Sequence, residues 1–377
     1  MGGGNAVDLL FDARHLHQSG IGTYIATELP YLEATVAKYG LRLAVLANPD
    51  SMPTVSDRTL VVPADPADAA MYSMAEQKVW SRALRAIRPR AMWVPHYPFP
   101  LALLSPSNRD TRLFVTVHDT LHIMARQITG QSFPHRVYAN AMLTLDARRS
   151  TAIFTPSQST AKTLLAARPS APVRVTTLPI DEIWFSPIDP NLSPVDGRYV
   201  LYVGNTKWHK NLTLLIRAFE QVVEAVPHKL VIAGGGEAVR TVDERIVQLA
   251  DRRPDRVVLT GRLEFSALRS LVAGADLLVM PSLHEGVGLP PLEAMASHTA
   301  VLASKIPALR ETCGDGAEYF DPHDPRELAD LIATYCSDDE GRAELAARGF
   351  AHVRKRQARI SFTEASEAIC TELGSPR

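Results

Sequence analysis

Residues 199–223 read YVLYVGNTKWHKNLTLLIRAFEQVV. A short β-branched apolar run stops at Gly204-Asn205, and apolar residues then recur at three- and four-residue spacing. The stretch therefore specifies strand, loop and helix, with Asn211 the expected helix cap. Immediately before it, DEIWFSPIDPNLSPVDGR (181–198) holds three prolines and no helical period. That is the composition of a linker, so the α/β pattern starts afresh at Tyr199.

The same alternation lies on both sides. VDLLFDA (7–13), LRLAVLA (41–47), AMWVPH (91–96), LFVTVHD (113–119) and TAIFTPS (151–157) read as buried strands, with helical segments such as AEQKVWSRALRAI (75–87) between them. After 199–205 come KLVIAGGG (229–236), RVVLTGR (256–262), DLLVMPS (276–282) and AVLASKI (300–306). The fold class is α/β: two doubly wound, Rossmann-like domains of parallel strands facing a central cleft, at 1–182 and 199–355, joined by a linker at 183–198. A chain of 377 residues is too long for one ordinary core and agrees with that division.

The composition, 46% hydrophobic and 21% charged with a formal net charge of −1, is that of a soluble or peripheral protein and gives no sign of nucleic-acid binding. A slightly basic first half would suit an anionic membrane surface. Cys313, Cys336 and Cys370 lack zinc spacing, so a reducing, cytoplasmic compartment is expected. MGGGNAVDLLFDAR does not read as a secretory signal, and no uninterrupted apolar run is long enough to span a membrane.

Ligands of such sheets sit beyond the carboxyl ends of the strands, so the loops there are the candidates for chemistry. QSGIGTYIATEL (18–29) places Gly20 and Gly22 where a strand gives way to a helix. Their amides could approach a phosphate, or the glycines could serve only a tight turn. Ile25 stands where a dinucleotide fingerprint needs its third glycine, which argues against a nicotinamide enzyme. In VTVHDTLH (115–122), His118, Asp119 and His122 lack further metal ligands at useful spacing. No metal is expected there, and His118 is either a hydrogen-bond donor to a ligand or a structural histidine. In GNTKWHKN (204–211), Lys207 reads as a solvated loop residue and Lys210 as a cation able to neutralise a diphosphate.

SLHEGVGLPPLEAMA (282–296) sets Glu285 and Glu293 eight positions apart. Gly286 and Gly288 keep the first glutamate on a loop, while Pro290 and Pro291 fit the first turn of a helix, which places Glu293 in that turn. The amides of Gly286, Val287, Gly288 and Leu289 could hold a phosphate while the carboxylates accept hydrogen bonds from hydroxyls. A nucleotide sugar offers that combination. Taken alone, Glu293 could also be a first-turn glutamate complementing the helix dipole.

These segments, with LVIAGGGE, LRSLVAGADLLVMPS and DGAEYFDPHDPRELADLI, resemble the retaining glycosyltransferases of family 4, of GT-B architecture; the match runs in order from Gly20 to Leu331. The resemblance implies that Glu293 binds the donor ribose, that Glu285 lies by the transferred sugar and that Lys210 contacts phosphate. It also implies that His118 touches the donor sugar near the reacting carbon, and that Gly20 and Gly22 line the diphosphate and acceptor. Asn205 stands where members often carry an arginine, and His298 and Ala300 where they usually carry glycine and proline. By the same resemblance, 356–377 crosses back to the first domain.

The expected activity is retaining, metal-independent transfer of a hexosyl group from a nucleoside diphosphate sugar to a hydroxyl acceptor, with His118, Glu285 and Lys210 as the catalytic set and no cofactor. GNTKWHKN and GDGAEYFDPHDPRELA are closest to members transferring mannose in bacterial surface polysaccharide assembly, so GDP-mannose is the donor of choice, with UDP-glucose and UDP-N-acetylglucosamine open. The acceptor is a glycan or lipid-linked saccharide, the latter implying peripheral contact with the inner face of the cell membrane. The rival readings are another GT-B enzyme, such as a sugar-nucleotide epimerase or a phosphorylase, and a non-catalytic sugar-nucleotide-binding protein.

Overall fold

The computed structural model describes residues 6–16, 19–123, 133–234, 248 and 251–374. The described residues form two compact units: one takes those up to Leu178 and from Ser361 onward, the other those from Pro179 to Ile360.

In the first unit, β1 (Leu9–Asp12), β2 (Leu43–Ala47), β3 (Leu60–Pro63), β4 (Ala91–Val94), β5 (Arg112–Thr116), β6 (Ala152–Thr155) and β7 (Val173–Val175) pair in parallel in the order β3-β2-β1-β4-β5-β6-β7. Alternate side chains leave a strand on opposite faces. Leu10, Leu46, Met92 and Val115 meet Trp80 and Leu84 on one face. Leu9, Phe11, Val45, Trp93 and Phe114 meet Ile25 and Leu29 on the other. Helices cover both faces, so the central strands read as continuous apolar runs.

Part of that second face is closed from far along the chain. Ile369 and Leu373, on the helix Glu364–Gly374, complete the core beside the Ser19–Lys38 helix. Arg90 Nη2 donates to the Leu373 carbonyl at 2.6 Å, and Ser366 Oγ to Thr35 Oγ1 at 3.1 Å.

In the second unit, β8 (Tyr199–Val203), β9 (Lys229–Ala233), β10 (Val257–Gly261), β11 (Leu277–Met280), β12 (Ala300–Ser304) and β13 (Glu318–Phe320) form a parallel sheet ordered β10-β9-β8-β11-β12-β13. Residues 183–198 pack onto this unit. Buried Trp184 sets its ring edge-on to Phe265 at 5.6 Å, and Ser270 Oγ donates to the Asp189 carbonyl at 2.6 Å.

His298 adopts the left-handed backbone that a glycine would take at little cost, with φ of 59°, and its ring stacks on Phe350 at 3.8 Å. The turn thus keeps a glycine-type conformation without the glycine.

Candidate active site

Each sheet reverses its strand order once, between β1 and β4 in the first unit and between β8 and β11 in the second. The crevice at such a reversal, beyond the carboxyl ends of the strands, is where open α/β sheets bind ligands.

In the second unit the loops after β8 and β11 are tied together. Leu283 N donates to the His209 carbonyl at 2.7 Å. Asn211 does not cap the following helix Leu212–Val222 as its sequence position suggests: it sits at φ 56°, and no side-chain capping bond forms. Its amide instead donates to the carbonyls of Pro281 at 3.0 Å and Pro322 at 2.8 Å, bracing three loops at once. A left-handed residue cannot present its side chain as an extended N-cap does, which is the physical reason for the difference.

On this brace Lys210 Nζ lies 2.7 Å from Glu285 Oε1, with the two side chains 13% and 9% exposed. Buried Ser282 donates to the same oxygen at 2.6 Å, and Glu285 Oε2 has no hydrogen-bond partner among the described residues. The carboxylate is thus held through one oxygen and offers the other. Asn205 lies one turn earlier: its carbonyl accepts from Tyr202 Oη at 2.6 Å and its side chain from Lys207 N at 3.3 Å. Lys207 and Trp208 are exposed.

Gly286 and Val287 continue the loop, and the Val287 carbonyl accepts from Thr312 Oγ1 at 2.6 Å. Gly288, at φ 85°, turns the chain into the helix Leu289–Ala296, and a Cβ there would meet Leu309 Cδ2 at 2.4 Å. No side chain caps this helix. Because it begins at Leu289, Glu293 is its fifth residue and lies beyond the first turn, where no acidic residue stands. This corrects the sequence reading. Once Gly288 makes the turn, both prolines fit as the second and third helical residues, whose amides need no intrahelical acceptor.

Burial pushes the Glu293 carboxyl up to about 7, with no partner among the described residues to oppose it. The folded chain therefore holds this proton more tightly than the unfolded chain, whose carboxyl titrates near 4.5, so stability falls as pH rises from about 4.5 through 7. Glu293→Gln is expected to raise the melting temperature at pH 8 and to leave it nearly unchanged at pH 4. Scanning calorimetry at the two pH values checks the sign.

In the first unit, His118 follows β5. Its Nε2 lies 2.7 Å from the Pro95 carbonyl, which only accepts, so Nε2 carries the proton. Its ring meets Tyr24 edge-on at 4.7 Å. Burial lowers its pKa against the pull of Pro95 and Asp119, keeping the ring neutral with Nδ1 as an acceptor. Asp119 Oδ1 accepts from Leu121 N at 2.9 Å, a local turn bond; the His122 side chain lies outside the described residues. Gly20 and Gly22 open the Ser19–Lys38 helix. A Cβ at Gly20 would meet nothing within 4 Å, whereas one at Gly22 would lie 2.6 Å from the Leu16 carbonyl oxygen. Close passage of its own loop backbone thus demands Gly22.

The reversal between β1 and β4 also gathers Asp12, Arg14, His15, Glu76 and His96, none more than 3% exposed. Arg14 Nη2 bridges Asp12 Oδ2 at 2.7 Å and Glu76 Oε1 at 3.1 Å. His96 Nε2 and His15 Nε2 reach that same Glu76 oxygen at 2.9 and 3.4 Å. Burial opposes both charges, yet Arg14 and the imidazoles hold Asp12 well below the usual carboxylate range and Glu76 at about 2. Two imidazoles and a carboxylate are a plausible metal set by type. Here, however, the shared oxygen already carries a guanidinium, and a divalent ion on it would sit against that positive charge.

Residues 188–352 match the family of glycosyl transferases group 1. The chain carries a group 1 glycosyltransferase domain. Lys210, Glu285 and Glu293 all fall within it. The chain is 27% identical to the O-antigen chain mannosyltransferase RfbU of Salmonella typhimurium, over 65% of this chain and 70% of that one. It is also 27% identical to the serotype-specific mannosyltransferase WbdA of Escherichia coli, over 63% of this chain and 31% of that one. A D-inositol 3-phosphate glycosyltransferase of Xylanimonas cellulosilytica is 33% identical over 47% of this chain, and the match spans 42% of that relative.

Among solved structures, sucrose-phosphate synthase from Thermosynechococcus elongatus aligns over 98% of this chain and 97% of its own, with a TM-score of 0.74 and 19% identity. WaaG, a glycosyltransferase involved in lipopolysaccharide biosynthesis, aligns over 98% and 100%, with a TM-score of 0.71 and 13% identity. The group 1 domain therefore sits in a chain of GT-B fold. No described helix is long and apolar enough to cross a membrane.

Proposed function

We propose that the chain is a retaining, metal-independent hexosyltransferase that moves mannose from GDP-mannose to a hydroxyl of a glycan or lipid-linked saccharide in polysaccharide assembly, at the inner face of the cell membrane. The observation that carries this reading is the Lys210–Glu285 pair of 2.7 Å at the strand-order reversal of the group 1 domain. A diphosphate arriving there gives the ammonium a new partner and frees a carboxylate for sugar hydroxyls. Lys210 and the amides at the start of the Leu289–Ala296 helix stabilise the leaving diphosphate, Glu285 orients the sugar, and Glu293 accepts from the ribose. The choice of mannose is supported by the named activities of the RfbU and WbdA relatives.

The test is a thermal-shift panel of GDP, UDP, ADP and their sugar conjugates, followed by NMR of the product's anomeric carbon. A ligand at about 100 times its dissociation constant adds roughly 2.7 kcal/mol of stability. GDP and GDP-mannose are expected to shift the wild type and to shift Glu293→Ala much less. A shift with uridine nucleotides alone replaces the donor, and an inverted anomer overturns the retaining reading.

A further inference from the structure

At the end of the first sheet opposite the crevice, where the strands begin, lies a cleft of about 370 Å³. Arg85, Arg88 and Arg90 form one wall, where the helix Met74–Ile87 turns into β4. Ser107, Asp110 and Thr111, just before β5, form the other. The walls are fixed to each other: Thr111 Oγ1 donates to the Pro89 carbonyl at 3.2 Å, and Arg112 N to the Arg90 carbonyl at 2.9 Å. The cleft is therefore preformed.

Its charge is one-sided. Arg90 is engaged by Asp8 at 2.7 Å and by the Leu373 carbonyl at 2.6 Å. Asp110, the acid in the lining, is exposed and has Arg109 at 3.9 Å. Arg85 uses Nε on the Ser81 carbonyl at 3.2 Å, and its terminal nitrogens have no partner among the described residues. Arg88 makes no side-chain bond among those residues, and neither arginine has an acidic partner there.

Arg88 also stands where its backbone favours another residue. It ends the helix Met74–Ile87 at φ 49° and ψ 55°, a left-handed conformation that glycine or asparagine adopts at less cost. A helix C-terminus does attract cations, but Arg85 already meets that need in the last turn. A long cation kept at an unfavourable backbone position, beside a second one without a counter-ion, points to an anionic ligand. Guanidinium forks match phosphate oxygens, and two forks offer more donors than the two oxygens of a carboxylate can use.

We propose that this cleft binds the phosphate group of a phosphoester, with Arg85 and Arg88 donating to its oxygens and Arg90 as a fixed third cation. The group can come from the headgroup of an anionic lipid or from a soluble phosphoester. The cleft lies at the far end of the strands from the crevice, so it anchors a phosphate and does not react with it. The inference goes beyond the sugar-transfer reading and stands without it.

Two probes separate the sources: glycerol 3-phosphate by titration calorimetry, and phosphatidylglycerol vesicles by co-sedimentation, with phosphatidylcholine vesicles as the blank. Both are run at about 0.15 M salt, where screening beyond about 8 Å suppresses diffuse attraction. The test variant is Arg85→Gln/Arg88→Asn; asparagine tolerates the left-handed backbone, so this chain is expected to melt no lower than wild type. Arg88→Gly alone replaces it should the double variant fail to fold. The control, Arg58→Gln/Arg148→Gln, removes the same charge from exposed positions elsewhere on the unit. At least one probe is expected to bind wild type and control alike, and the cleft variant at least tenfold more weakly. Binding of the vesicles alone assigns a lipid headgroup, and binding of glycerol 3-phosphate alone a soluble ester; if both bind and compete, the cleft takes the phosphate of either. Binding of neither probe, equal binding by the folded cleft variant, or an equal loss in the control overturns the site. The GDP thermal shift reports the donor site separately and is expected to be the same in all the chains.

Discussion

Lys210→Met is expected to lower the rate of sugar transfer by about 10²–10³-fold, the scale of losing one preorganised group that meets charge developing in the transition state. Methionine fills a similar volume, so the effect isolates the ammonium. The substitution also strands Glu285, a largely buried carboxylate held, among the described residues, by Ser282 alone once Lys210 Nζ is gone. Some stability is therefore lost with the activity. The double variant Lys210→Met/Glu285→Gln separates the two effects, because it removes the orphaned charge and restores the melting temperature while transfer stays low. Steady-state kinetics beside calorimetry checks this. A double variant that regains activity together with stability would show that the pair only holds the loops.

Arg14→Met is expected to cost about 3–5 kcal/mol, the scale of removing one partner from a buried ionic cluster. Two carboxylates lose their shared guanidinium, and Trp80 Nε1, 2.7 Å from Asp12 Oδ2, is one donor left to that acid. The pH dependence has a definite sign. The folded-state pKa values of Asp12 and Glu76 lie below their ordinary ones, so their contribution is complete above about 4.5 and is lost as pH falls; for Glu76 that fall runs from about 4.5 to about 2. Without Arg14 both values rise, so the stability gap between wild type and variant narrows across the acid range. Urea unfolding followed by tryptophan fluorescence at pH 7 and pH 3.5 checks the magnitude and the narrowing.

Nine of the ten strands legible in the sequence lie inside their sheets; the tenth, β10, is a partly exposed edge strand that its Val257-Val258-Leu259 run still marks. Ten apolar runs each matched an observed strand to within a few residues at either end. The three that left no signal, β3, β7 and β13, all lie at sheet edges. The Leu60–Pro63 strand is apolar but short and exposed at both ends, while β7 and β13 carry the charged residues Arg174 and Glu318 within three residues each.

The candidate site divides in the same physical way. Lys210, Glu285 and Glu293 stand beside glycines and prolines that announce loops and helix starts. Asp12, Arg14, Glu76 and His96 are brought together by tertiary folding alone, and no spacing rule links positions so far apart. The one local hint was Asp12, a charged residue ending a buried strand. Asn211 misled because a capping residue type says nothing of its backbone: at φ 56° the side chain was redirected to two carbonyls.

The helix Glu364–Gly374 has a consequence for how this chain is made. Ile369 and Leu373 seal a core whose other walls come from the first half of the sequence, so on the ribosome that core waits, unsealed, while the whole group 1 domain is translated. Domains generally fold in the order they emerge. Here the order is interleaved: the second unit can finish first, and the first stays open along the Ser19–Lys38 helix until the ribosome delivers its closing piece.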